Sequence, residues 1–265
     1  MYPRREPRTL TEEEISIIRG LNFEPFSQVD PWGCVWVVKD KDGEIYMAKS
    51  ILKVSYEMLA LQKLRSLPSP RNITIPGRLY ECSNTAPNVS WMHLLSYFDT
   101  MIDYVELLHE NNIAYLDVVG FDIPAGAIFY IDVGSTRLLP SGPGTGIRIR
   151  DFRFYGGKYM PPEGLDAVEP YAYDVFAMTQ MFGYLTDYFE STNPNVHTPR
   201  CWEEWLGTME DPIPEKRPSI VQFHRQFSAL KTWMARTAWL YRVFRPVFAD
   251  ALGSFGWNVV SLFVR

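Results

Sequence analysis

Cysteine, histidine and uninterrupted apolar stretches are all scarce in this chain, and each scarcity narrows what the protein can be. Its three cysteines, Cys34, Cys82 and Cys201, are far apart and odd in number. They form neither a disulfide framework nor a paired zinc knuckle, which points to a reducing compartment. The longest uncharged apolar stretch, Ala251 to Val264, has 14 residues, whereas a membrane-spanning helix needs about 20. No apolar segment follows the basic start Met1-Tyr-Pro-Arg-Arg-Glu-Pro-Arg8, so it does not read as a signal peptide. A cytoplasmic or otherwise intracellular location is expected, with no transmembrane span. Positive charge is short as well: 26 Lys and Arg face 31 Asp and Glu, a net charge of −5. That balance argues against a nucleic-acid binder gripping by phosphate neutralisation. Of the four histidines, His109 and His197 stand without ligand spacing and read as ordinary loop or helix-end residues.

What is present is an ordinary globular composition: 265 residues, 46% hydrophobic and 22% charged, enough for one large domain or two modest ones. The first half reads as strands with one helix. Trp32 to Lys39 and Glu44 to Ile51 are β-branched and aromatic runs joined by Asp40-Lys-Asp-Gly43, a hairpin signal. Ser55 to Leu67 has Met58, Leu61 and Leu64 at helical spacing, a cap candidate in Ser55, and a stop at Pro68-Ser-Pro70. Trp91-Met-His-Leu-Leu95 reads as a strand, and Met101, Val105 and Leu108 suit a helix ending near Asn111-Asn112. Two strand-like pieces, 113–119 and 127–131, precede an irregular loop over 140–158. Helices are predicted over 170–190 and 219–245. The expected division is an N-terminal extension (1–24), a β-rich part (25–97), a helical part (98–230) and a tail (231–265).

Several fragments able to carry chemistry follow one another in a fixed order. Lys49 ends a strand and Glu57 lies one helix later. Asp117 closes the loop His109-Glu-Asn-Asn-Ile-Ala-Tyr-Leu-Asp117, and Asp132-Val-Gly134 ends a strand. Then come Pro161-Pro-Glu163, Asp174-Val-Phe-Ala and Lys216-Arg-Pro-Ser219. Taken singly, each is common: strands often end in a solvated lysine, and Asp-x-Gly turns occur widely. Taken in order over residues 25–230, they resemble the protein kinase fold, with the texture of the divergent kinase-domain proteins of mushroom-forming fungi.

That resemblance implies an α+β, two-lobed kinase-like fold with a small β-rich lobe and a larger helical one, and it assigns roles. Lys49 would contact the phosphates of ATP, held by Glu57, and Gly33 would approach them through its backbone. Asp117 would orient a substrate hydroxyl. Asp132, with Asp122, would hold Mg²⁺ through carboxylate oxygens. Gly134 would free the turn beside Asp132, Asp174 would brace the catalytic loop, and Glu163 would pair with Arg217.

Departures from the family pattern bear on turnover. The phosphate-covering loop reads Gln28-Val-Asp30-Pro-Trp-Gly33, with one glycine of three and an acid that repels phosphate. Tyr115-Leu116-Asp117 stands where the family has His-Arg-Asp, so the arginine that would receive an activation-loop phosphate is missing. Asp122 replaces the metal-binding Asn, and Val133 replaces the Phe of Asp-Phe-Gly. Two functions stay open. One is ATP- and Mg²⁺-dependent phosphoryl transfer to a protein Ser/Thr hydroxyl; the other is a pseudokinase that binds a protein partner without turnover. Phosphotransfer to a small molecule carries less weight, because the His-x-Asp and the Asn of those relatives are absent. From Lys231 onward, aromatic residues alternate with basic ones; this tail either covers the helical part or meets a membrane surface or partner.

Overall fold

The computed structural model describes residues 9–28, 35–49, 56–66, 91–117, 135–152, 159–192, 198–237 and 246–261. The protein is a mixed α+β chain that divides into two units. One comprises Met1–Thr85 with Phe121–Ile131, the other Ala86–Gly120 with Asp132–Arg265.

The smaller unit is built on a three-stranded antiparallel sheet in the order β1 (Phe23–Gln28), β2 (Val35–Asp40), β3 (Ile45–Lys49). The predicted hairpin is present as β2–β3, with Val38 opposite Tyr46 and Val35 opposite Lys49. Its turn works through Asp40, whose Oδ1 accepts the Asp42 and Glu44 N–H groups at 2.9 Å each, while Gly43 takes the left-handed φ of 82°. Strand β1 was not foreseen. It pairs with β2 through an irregularity between Pro25 and Ser27, which suits a proline on an edge strand. Helix α1 (Glu12–Gly20) precedes it, started by a capping box in which Thr11 and Glu14 satisfy each other's backbone N–H. Helix α2 (Tyr56–Arg65) buries Leu64 of the predicted face together with Ala60, whereas Met58 and Leu61 are only half-buried; Ser55 lies outside the described residues.

The larger unit is helical. Helix α3 (Trp91–Glu110) runs without a break through the segment expected to be a strand at 91–95 and through the expected boundary at 97/98. The reason is periodicity: Leu94, Leu95, Phe98, Met101, Ile102, Val105 and Leu108 are all buried on one wide face, so the short apolar run at 94–95 is that face's first turn. Beyond it, β4 (Ile113–Ala114) pairs with β5 (Arg137–Leu138), leaving a much shorter strand than 113–119 predicts. The piece at 127–131 lies outside the described residues. Helix α4 (Pro170–Thr192) matches its prediction and is followed by α5 (Arg200–Gly207), the 3₁₀ turn Pro214–Lys216, α6 (Ile220–Thr237) and α7 (Pro246–Ser261).

Stacked aromatic rings join these helices. Phe98 lies 4.0 Å from Phe182 and 5.4 Å from Trp202 between ring centroids, both pairs nearly parallel. Trp205, Phe223 and Phe227 extend the cluster. The tail belongs to this unit. Helix α7 packs on α5 and α6, Trp257 is buried, and Trp233 Nε1 donates to the Gly253 carbonyl at 3.1 Å.

Gly256 lies so close to Trp233 that a Cβ there would overlap the indole ring. Gly256→Val is therefore expected to lower stability by about 1–3 kcal/mol through overpacking, despite its better helix propensity. Thermal and urea unfolding of the purified variant against the parent checks this; an unchanged midpoint would show that α7 does not depend on that contact.

Candidate active site

One carboxylate organises the loop between β4 and Asp117. Asp174 sits in the first turns of α4 and is fully buried. Its Oδ1 accepts the Leu116 N–H at 2.7 Å, and its Oδ2 accepts the Tyr115 N–H at 2.7 Å and meets His109 Nε2 at 2.9 Å. Charge-assisted bonds of this kind are among the stronger ones a protein makes. To aim two successive N–H groups at one side chain the backbone must turn sharply, and Leu116 takes φ 61°. A leucine in the left-handed region costs about 1–2 kcal/mol, which the two bonds from the loop offset. The turn delivers Asp117 half-buried, with Ser135 Oγ donating to its Oδ2 at 3.0 Å.

The same helix takes part in a second buried arrangement. Arg217 grips Glu163 with Nη2–Oε2 at 2.5 Å and Nη1–Oε1 at 3.1 Å, and its Nε donates to the Asp211 carbonyl at 2.9 Å. The guanidinium lies over the ring of Phe176 in α4, 5.0 Å from its centroid. Around this site, Arg137 pairs with Asp151 at 2.5 Å, Arg148 pairs with Glu215 and donates to the Ala167 carbonyl, and Ile149 bridges Val168. The irregular segment is thus tied down by charge.

Burial shapes the ionisation of this region. Tyr173, whose hydroxyl donates to the Tyr159 carbonyl at 3.1 Å, is raised well above its ordinary value by burial and then by the charges of Asp174, Asp117 and Glu163. Glu169 precedes α4 and its carboxylate caps the Ala172 N–H. Burial raises its carboxyl above the ordinary range; the bond from Ala172 opposes this, and the charge of Asp174 adds to it.

Of the residues singled out in the sequence, Asp174 is brought to the loop that ends in Asp117, and Glu163 to Arg217. Lys49 is the last residue of β3 and Glu57 the second of α2; their side chains, together with Gly33, Asp122, Asp132 and Gly134, lie outside what the structure describes. Two contributors were missed. His109 is not an ordinary helix-end residue but is buried against Asp174, and Ser135 bonds to Asp117. The signal for His109 was its place one residue after Leu108, still on the buried side of α3. No protein-family model matches the chain, and no curated protein matches it.

Two predictions follow from buried charge. Removing one partner of a buried pair strands the other, so Arg217→Ala is expected to destabilise the protein by about 3–5 kcal/mol. Arg217→Lys is expected to recover only part, since one ammonium cannot reproduce the paired bonds; denaturant unfolding of both variants measures this. For Glu169, a raised folded value means that its stabilising contribution is complete at pH below the ordinary carboxyl range and is lost as pH rises through the folded value. The stability difference between parent and Glu169→Gln should therefore fall as pH climbs from the acid side towards neutrality. A difference that stays flat would show that this carboxyl titrates as an exposed one.

Proposed function

We propose that the protein is kinase-like, with the two-lobed architecture of that family, and transfers a phosphoryl group from ATP to a Ser/Thr hydroxyl of a protein substrate. The observation that supports this most directly is Asp174, reaching from a buried helix to hold two successive amides of the loop that presents Asp117. A loop pinned in this way fixes an acceptor carboxylate, and phosphoryl transfer asks little of the protein beyond positioning and charge.

When bound, Mg²⁺ and ATP supply the transferable group and neutralise its charge. In this chain Lys49 would hold the phosphates, anchored by Glu57, and Gly33 would approach them through its backbone. Asp132 and Asp122 would ligate Mg²⁺ through the oxygens such a hard cation prefers. Asp117 would accept the hydrogen bond of the substrate hydroxyl and hold it for attack. Glu163, Arg217 and Asp174 would act on structure rather than on substrate.

A pseudokinase that binds a partner protein is the second reading, and one observation favours it. Ser135 Oγ already donates to Asp117 Oδ2, as a substrate hydroxyl would. The shortage of glycines before Gly33 and the charge of Asp30 point the same way.

Thermal unfolding with millimolar ATP, with and without Mg²⁺, tests the phosphotransfer reading, and the partner-binding reading stands without it. Ligand at 100 times its dissociation constant adds about 2.7 kcal/mol, so a Mg²⁺-dependent rise in Tm is expected, lost in Lys49→Ala and Asp132→Asn. Absence of any rise in the parent would remove the nucleotide site and phosphotransfer with it. Given binding, radiolabel transfer to a generic protein substrate separates the two. Transfer that falls at least a hundredfold in Asp117→Asn, while ATP binding stays, marks the enzyme; binding without transfer marks the pseudokinase.

A further inference from the structure

Helix α7 is apolar on the side it turns away from the core as well as on the side it packs. The inner side is spent on the fold: Gly253, Ser254 and Trp257 are buried, and Trp233 Nε1 of α6 donates to the Gly253 carbonyl. Outward stand Ala251, Leu252 and Phe255, at the three- and four-residue spacing of one helical stripe. Phe255 is 73% exposed, the most of any large apolar residue described, and Leu252 is 41% exposed. A surface helix ordinarily turns charged or polar residues to that side. Among the described outward positions of α7 there are none.

Charge is distributed unevenly in the same place. Of the chain's 26 Lys and Arg, five fall in residues 231–265 (Lys231, Arg236, Arg242, Arg245 and Arg265); of its 31 acids, only Asp250 does. A chain that is acidic as a whole thus ends in a basic segment. Lys231 is committed to Asp99, but Arg236 is exposed in the last turn of α6. Arg242 and Arg245 come shortly before Pro246, and Arg265 shortly after Ser261, so positive charge brackets the apolar helix in the sequence. This combination selects what covers the outer face. A second copy would bring like charge against like. A protein partner would meet a polar rim around the apolar centre, which the described outward positions lack. An anionic bilayer surface satisfies both features, taking the apolar side chains at its acyl boundary and the arginines at its headgroups.

We propose that α7 lies in the plane of a membrane surface rich in anionic lipid, with Leu252 and Phe255 inserted at the headgroup–acyl boundary and the flanking arginines on the lipid phosphates. An in-plane seat follows from length and packing. The helix has 16 residues, about 24 Å at 1.5 Å per residue, against a hydrocarbon core of about 30 Å. Its inner face also stays on α5 and α6. No helix among the described residues is long and apolar enough to cross a membrane. Because Trp233 and Trp257 already hold α7 in place, the membrane meets a formed helix and binding need not order one. The contact is independent of nucleotide binding.

The test is co-sedimentation of the full chain with vesicles of phosphatidylcholine alone and with vesicles holding about one third phosphatidylserine. Binding to the phosphatidylserine vesicles is expected, at least about tenfold tighter than to phosphatidylcholine alone, and weakened by added salt, which screens the arginines. Leu252→Ser combined with Phe255→Ser should weaken it at least about tenfold. Both side chains are exposed, so this variant keeps its fold, which an unchanged Tm confirms. Arg242→Gln combined with Arg245→Gln should weaken binding to the phosphatidylserine vesicles and leave that to phosphatidylcholine as it is. Tyr184→Ser, which removes a comparably exposed aromatic ring from α4, should change nothing. No sedimentation with phosphatidylserine vesicles, equal binding to phosphatidylcholine alone, or unchanged binding in the Leu252 and Phe255 variant would each overturn the proposal. So would a dimer of the parent that this variant abolishes and that ignores vesicles, which would give the face to a second copy.

Discussion

Everything around the candidate site depends on one buried carboxylate. Asp174 has no water to turn to, so its burial is tolerable only because three donors converge on it from His109, Tyr115 and Leu116. The relation is mutual. Leu116 could not keep its left-handed backbone without those bonds, and without that backbone the two amides would not face the same side chain. A helix, α4, thereby fixes a loop almost sixty residues earlier in the chain, and the loop fixes Asp117. The long separation also explains why this contact is invisible to any local reading.

The helices that carry this arrangement are rigid for a different reason. Phe98 of α3, Phe182 of α4 and Trp202 of α5 stack face to face, and Phe223 and Phe227 of α6 close around them. Large rings contribute much apolar area with few torsions to fix, so a small number of them can lock several helices together. The C-terminal helix α7 is held by the same means, through Trp233 and Trp257. Its aromatic residues are therefore divided in purpose. Trp257 is committed to the fold, while Phe255 stands exposed on the outer side.

How far the sequence revealed this depended on whether the signal was local. The Asp40-to-Gly43 turn, α2 and α4 were legible because turn chemistry and 3.6-residue spacing lie within a dozen residues. The ion pair of Glu163 with Arg217 and the bracing role of Asp174 were reached through the order of fragments and the resemblance it carries, not from spacing alone. Trp91–Leu95 was misread because a short apolar run fits a strand and a buried helical turn equally well, and only the continuation to Leu108 decides between them. Strand β1 escaped because Pro25 interrupts it, and α1 because its capping box opens a helix that buries none of its residues fully. His109 escaped because its partner is 65 residues away.

Helix α3 serves both ends of this arrangement, because its two faces have separate tasks. One face, from Leu94 to His109, is buried and passes position from the aromatic core to the loop before Asp117. The other carries Asp99, Asp103 and Glu106, whose mutual repulsion along one side of a helix is unfavourable unless answered by positive charge. Lys231 pairs with Asp99, and His224 lies against Glu106. The polar face is thereby held to α6, itself anchored in the core by Phe223 and Phe227. A helix secured on both sides has little freedom to tilt, and the loop leaving its C-terminal end begins from a fixed point. Precision at Asp117 therefore rests on two independent supports, the carboxylate of Asp174 from α4 and the clasp of α3 to α6.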